Sequence, residues 1–335
     1  MQPIDPSAFK RRADETLQDA AYDPKKIVLL HTCVALGSSL LVTLVNLLLS
    51  RQIADTGGLA GMGLRSVLAT TQSVLEFVVM VILPFWEVGI IFAALRWARK
   101  EEAGPRTLLQ GFLRFRSVLG LNLLRGLLFL FLGVTIFYFS FAIFMLTPLA
   151  DPLMELLEPI ASGTMTSQDM ESLLTPELLE SMRTVCLPMI GIWAVLYAIV
   201  AIPVFYRLRF AEYAMADGAG AIKSLLLSLH MTKKKSLRLF RVDLYFWWYY
   251  LVLVLLSAVS FADVILTKLG IVLPFSGDAG SVVFCLLAIA GQVAFCCRYQ
   301  PSVSTTYALT YEEFRQKQSA TPPQPKPANV PWNTC

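Results

Sequence analysis

Residues Val118 to Leu146 read VLGLNLLRGLLFLFLGVTIFYFSFAIFML, and Arg125 is the one charge among them. A helix needs about 20 apolar residues to cross a hydrocarbon core, so this stretch is long enough to span a bilayer. Five further apolar runs flank it: Ile27 to Leu49, Val67 to Trp97, Val185 to Tyr206, Leu244 to Leu266 and Val282 to Cys297. The second is longer than a span requires and is expected to tilt or break, with Pro84 as the break point. The last is short, and Gly280 and Ser281 extend it. The composition agrees: 56% of residues are hydrophobic and 16% charged, with a mean hydropathy of +0.61. A soluble chain carries about 25% charged residues. The fold class expected is therefore all-α, a polytopic membrane bundle of about six transmembrane helices.

Orientation follows from the connections, because cytoplasmic loops are enriched in Lys and Arg. Segments 1–26, 96–116, 207–241 and 298–335 hold 23 of the 28 Lys and Arg residues, and the intervening segments hold four. Both termini are expected in the cytoplasm, in a multi-pass protein of the plasma membrane. The polar residues 1–26 are not expected to form a cleavable signal, and the first apolar run reads as an anchor. Three parts follow: a cytoplasmic segment 1–26, a six-helix transmembrane domain 27–300 and a cytoplasmic Pro-rich tail 301–335. The acidic connection 148–184 is expected to form a small outer helical cap, with a helix start at Thr175-Pro176-Glu177.

The two long basic connections resemble each other. At an offset of 117, Arg106-Thr107-Leu108-Leu109 meets Lys223-Ser224-Leu225-Leu226, and Phe112 meets Leu229. Each places apolar residues at helical spacing beside basic ones, the pattern of an interfacial helix lying on the inner leaflet. The expectation is two cytoplasmic interfacial amphipathic helices, with a possible internal repeat of 67–146 and 185–266. Lys233, Lys234 and Lys235, the densest basic run, are the candidate contacts to anionic lipid headgroups.

Charges inside a membrane are costly and therefore become candidates for function. Glu87 and Arg125 fall at comparable depth and read either as an ion pair pinning two helices or as a polar site. Glu76 is deeper and has no evident partner in the sequence. Asn46, Asn122 and Gln292 are expected to join spans by hydrogen bonds. The aromatic run Phe246 to Tyr250 reads as an interfacial anchor. No HExxH, CxxC, GxSxG or P-loop occurs, so no catalytic, metal or cofactor site is assigned. The six cysteines form no disulfide framework.

From Tyr206 onward a further pattern emerges. Tyr213-Ala214-Met215-Ala216-Asp217 is followed by Ser228, Met231, Lys233 and Lys235, then by Phe240-Arg241-Val242-Asp243-Leu244-Tyr245-Phe246-Trp247. The chain closes with Tyr299-Gln300-Pro301, Tyr307-Ala308 and Tyr311-Glu312-Glu313. This C-terminal third resembles a bacterial integral membrane family, domain of unknown function 975. It is also similar to the membrane domain fused to some glycerophosphodiester phosphodiesterases. Thr232, Tyr245 and Trp248 depart from that pattern. The resemblance implies a six-span layout and a place in a bacterial membrane, with no established activity. The expected function is a non-catalytic envelope protein organising membrane lipids or an unknown protein partner, with no nucleic acid involved. The alternatives are a transporter or channel subunit with its polar site around Glu87 and Arg125, and an intramembrane enzyme.

Overall fold

A computed structural model describes residues 5–55, 59–151, 176–233, 235–260, 262, 266 and 278–319. Among these residues every regular element is a helix. The helices are α1 (Pro6–Gln18), α2 (Pro24–Asp55), α3 (Leu59–Ala98), α4 (Gln110–Leu113), α5 (Phe115–Met145) and α6 (Pro176–Leu208). They continue with α7 (Ala211–Ala216), α8 (Ala221–Met231), α9 (Ser236–Tyr245), α10 (Trp247–Val259) and α11 (Asp278–Ser319). A 3₁₀ turn, Pro105–Leu109, precedes α4.

Among the described residues five helices are long and apolar enough to cross a membrane, and a sixth counts if α9 and α10, bent by 58°, form one broken span. Many of their large apolar side chains face outward, among them Phe77, Met80, Leu130, Phe131, Ile199 and Val254. In water such exposure would be costly, whereas in hydrocarbon it is the normal state of a lipid-facing surface. The fold is thus an all-α bundle with the attributes of a multi-pass membrane protein.

Three boundaries differ from the sequence expectation. The helix α3 runs through Pro84 without a break. A proline deletes one helical hydrogen bond and crowds the preceding turn, which this long helix absorbs. At ~1.5 Å per residue its 40 residues make it longer than a bilayer core is thick. The helix α11 continues through Pro301 to Ser319, so the segment expected to be a tail begins inside a helix. Pro176 does open a helix, but that helix is the long α6 itself and no separate cap. The remainder of the acidic connection, 152–175, and the Pro-rich 320–335 lie outside the described residues.

The chain divides into two compact units. The first comprises 1–121 and 210–335, and the second 122–209. In the second unit, Trp193 stacks on Tyr197 with ring centroids 5.2 Å apart. Phe144 and Ala150 form a small buried cluster with Met145, Met189 and Ile192 packed on it. Arg125 and Arg209 both lie over the Phe205 ring at 5.4 Å, an arrangement in which a ring face offsets part of the cost of the charge.

The first unit is held by close backbone packing and by the C-terminal helix. A Cβ on Gly89 would come within 2.2 Å of the Leu108 carbonyl oxygen, and one on Gly111 within 2.0 Å of the Phe85 carbonyl oxygen. Only glycine lets α3 and the 3₁₀–α4 segment approach this closely. The face of α1 that carries Phe9 and Ala13 is buried. Asp14 of α1 accepts a hydrogen bond from the Ser302 hydroxyl of α11 at 2.6 Å. The aromatic run expected as an anchor is divided: Phe246 and Tyr249 are buried while Trp247 is exposed. Tyr249 stacks on Phe295 of α11 at 5.5 Å.

Candidate functional site

The densest polar cluster among the described residues gathers around Asp217, the C-cap of α7. Its sequence origin is a helix stop. The chain leaves α7 through Asp217 into Gly218 at φ +100°, a left-handed conformation that glycine adopts without strain. The stop leaves the Asp217 carboxylate beside the end of α3 and the last turns of α11. Arg99 donates from Nη2 to Asp217 Oδ1. Arg315 reaches the other carboxylate oxygen at 2.9 Å, and the Tyr311 hydroxyl donates to that same oxygen at 2.8 Å. Arg99 also donates from Nε to Glu312 Oε1 at 2.7 Å. Burial disfavours the Arg99 charge, but hydrogen bonds and attraction from Asp217 and Glu312 outweigh it and raise its pKa above the ordinary value.

Aromatic side chains enclose this cluster. Tyr213 stacks on Tyr311 at 5.5 Å, and Phe210 meets Tyr311 and Phe314 edge-on. The buried Phe210 N–H donates to the Ser228 hydroxyl at 3.2 Å. A second polar contact lies one helical stretch away, where the Tyr307 hydroxyl donates to Asp243 Oδ1 and pairs with the Tyr250 hydroxyl at 3.1 Å. Residues singled out from the sequence pattern, namely Asp217, Ser228, Asp243, Tyr307 and Tyr311, therefore take part in these contacts. Glu312 belongs to the same pattern, whereas Arg99 and Arg315 were missed. Their signal was weak: Arg99 sits at a span end where basic residues are ordinary, and Arg315 lay in a segment expected to be a tail.

The sequence-assigned intramembrane charges fall elsewhere. Glu76 lies on an exposed face of α3 and accepts a hydrogen bond from Gln72 Nε2 at 3.0 Å, one turn earlier, so it has the partner that the sequence did not reveal. Glu87, also exposed on α3, belongs to the first unit, and Arg125 belongs to the second. Gln292 does join two helices, donating to the Ser257 hydroxyl at 2.9 Å. The side chain of Asn46 lies outside the described residues.

The basic run is also divided. Lys233 is exposed and Lys234 lies outside the described residues. The Lys235 ammonium sits 4.8 Å from the Phe314 ring centroid. Burial, reinforced by repulsion from Arg238 and Lys317, lowers the pKa of Lys235. Lys235 therefore packs against α11.

Among the described residues no group of three or more His, Cys, Asp or Glu side chains is arranged to hold a metal ion. Each carboxylate of the Asp217 cluster faces guanidinium or hydroxyl donors, the arrangement of a structural clasp. No protein-family model, curated protein or solved structure matches this chain.

Proposed function

We propose that this chain is a non-catalytic integral protein of a bacterial cell membrane, with both termini in the cytoplasm, that organises lipids or partner proteins. The observation that carries the reading is the Asp217 cluster. Its acids and bases are matched to one another and its role is to fasten α3, α7 and α11 together. A catalytic or ion-carrying carboxylate needs access to a substrate, and Asp217 is enclosed by its partners. The Lys and Arg asymmetry of the connections supports the orientation. Kinship with domain of unknown function 975 belongs to the same proposal, supported by the convergence of the motif residues on these contacts.

A second reading, a transporter or channel subunit, draws on Glu76, Glu87 and Arg125, which lie in helices apolar enough to span a membrane. One experiment separates the two. The full chain is extracted gently from its own membrane and weighed by native mass spectrometry, and in parallel reconstituted with a panel of solutes. Retained lipid or a stoichiometric protein partner, with no solute flux, is the expected result. Flux that Glu87→Gln abolishes at unchanged expression would overturn the organising role in favour of transport.

A further inference from the structure

A cleft of about 560 Å³ opens beside the Asp217 turn, lined by Leu113, Arg114, Phe115, Arg116, Ser117, Gly218 and Ala219. Its walls carry two guanidiniums and no carboxylate. Arg114 is fixed in place: its Nη1 donates to the carbonyls of Met215 at 2.7 Å and Ala216 at 3.0 Å, and its guanidinium lies over the Phe92 ring at 5.3 Å. Arg116 is exposed at the rim. The nearest acid in sequence, Asp217, is engaged by Arg99, Arg315 and Tyr311, so it does not cancel the positive field. The first turn of α5, with its positive dipole end, forms one wall, and the Gly218–Ala219 turn forms the other.

We infer that this cleft binds the phosphate of an anionic membrane lipid, with Arg116, Ser117 and the anchored Arg114 as the headgroup contacts. The choice of a lipid over a soluble phosphate rests on the apolar lip. Leu113 is 84% exposed and Phe115 49%, and the long apolar run of α5 begins directly after them. A free anion would not use such a lip, whereas the acyl chains of a lipid would lie along it. The inference rests on the membrane reading above and adds a site away from the Lys233 to Lys235 run.

The test uses the full chain in phosphatidylcholine nanodiscs doped with phosphatidylglycerol, with retained lipid counted by native mass spectrometry. Wild type is expected to retain phosphatidylglycerol in preference to phosphatidylcholine. Arg116→Gln should cut that retention about fivefold, the contribution of one cation near a lipid surface. Ser117→Ala, a smaller change, should reduce it in the same direction. Lys223→Gln removes an exposed cation outside the cleft and should leave retention unchanged. Equal loss from Lys223→Gln and Arg116→Gln, or none from Arg116→Gln, would overturn the site while leaving lipid retention itself intact. Binding of inorganic phosphate that Arg116→Gln weakens, without lipid retention, would instead assign the cleft to a soluble anion. If wild type retains no lipid and binds no phosphate, both this site and the lipid-organising role fail.

Discussion

The two connections of the first unit, 99–114 and 217–246, share a pattern of residues and differ in how they dock. Thr107 and Ser224, 117 positions apart, are both buried, as are Gly111 and Ser228 at the same offset. Leu109 and Leu226 are both exposed. The small residues thus point into the protein and Leu109 and Leu226 point out, against the usual order of a helix in water. In the first connection Gly111 brings backbone against backbone at the Phe85 carbonyl, and the segment forms a 3₁₀ turn and one helical turn. In the second, Ser228 holds the chain farther off through a hydrogen bond to the Phe210 N–H, and a full helix of 11 residues fits.

Substitution at these contacts is the strongest way to break the comparison. Gly111→Ala should destabilise the first unit by several kcal/mol, beyond the ~1–3 kcal/mol of ordinary overpacking, because the Cβ would meet a carbonyl oxygen. Thermal unfolding in detergent should show a large loss of folded protein, and a variant as stable as wild type would disprove the close approach. Asp217→Asn should cost about 2 kcal/mol, since it removes the charge that Arg99 and Arg315 share. If its melting temperature is unchanged, the clasp contributes nothing. Ser228→Ala should cost about 1–2 kcal/mol by orphaning the buried Phe210 N–H, whereas Ser224→Ala, whose hydroxyl bonds only to the Ala221 carbonyl of its own helix, should cost markedly less. Equal effects would show that the Phe210 bond is not the feature separating the two connections.

The smallest effect is expected at the helix stops. The first connection turns at Lys100, φ 59°, and the second at Gly218. Lys100→Gly should stabilise the protein by up to about 1 kcal/mol, the left-handed penalty of ~1–2 kcal/mol less the entropy glycine loses on folding. The exposed Lys100–Asp19 pair that it removes is worth little. A lower melting temperature in that variant would mean that the pair matters more than the backbone.

The helices were legible because a run such as Val118 to Leu146 has one physical solution in a membrane. The register of the connections was legible too, although the expectation laid Leu108 on the lipid side, and it is buried inside the first unit. What hid it was Gly89, whose importance appears only when another chain segment lies against it. Pro84 was read as a break, and it lies within a continuous helix; the tail was expected to begin at Pro301, which also lies within a helix. The partners of Asp217 were illegible for a different reason. Tyr311 and Glu312 are ordinary residues of a C-terminal helix until they are placed beside a turn about a hundred residues earlier.

That placement sets an order of events during synthesis. Arg99 and Glu312 are separated by 213 positions. At ~5–20 residues per second, Arg99 is added to the chain about 10–40 s before Glu312 exists. Arg99, and from its own synthesis Asp217, wait without the side chains that complete the clasp, and the contacts that α11 supplies to the earlier helices form last. Nascent chains arrested before residue 311 should therefore be the protease-sensitive ones, and chains arrested well past residue 319 the resistant ones.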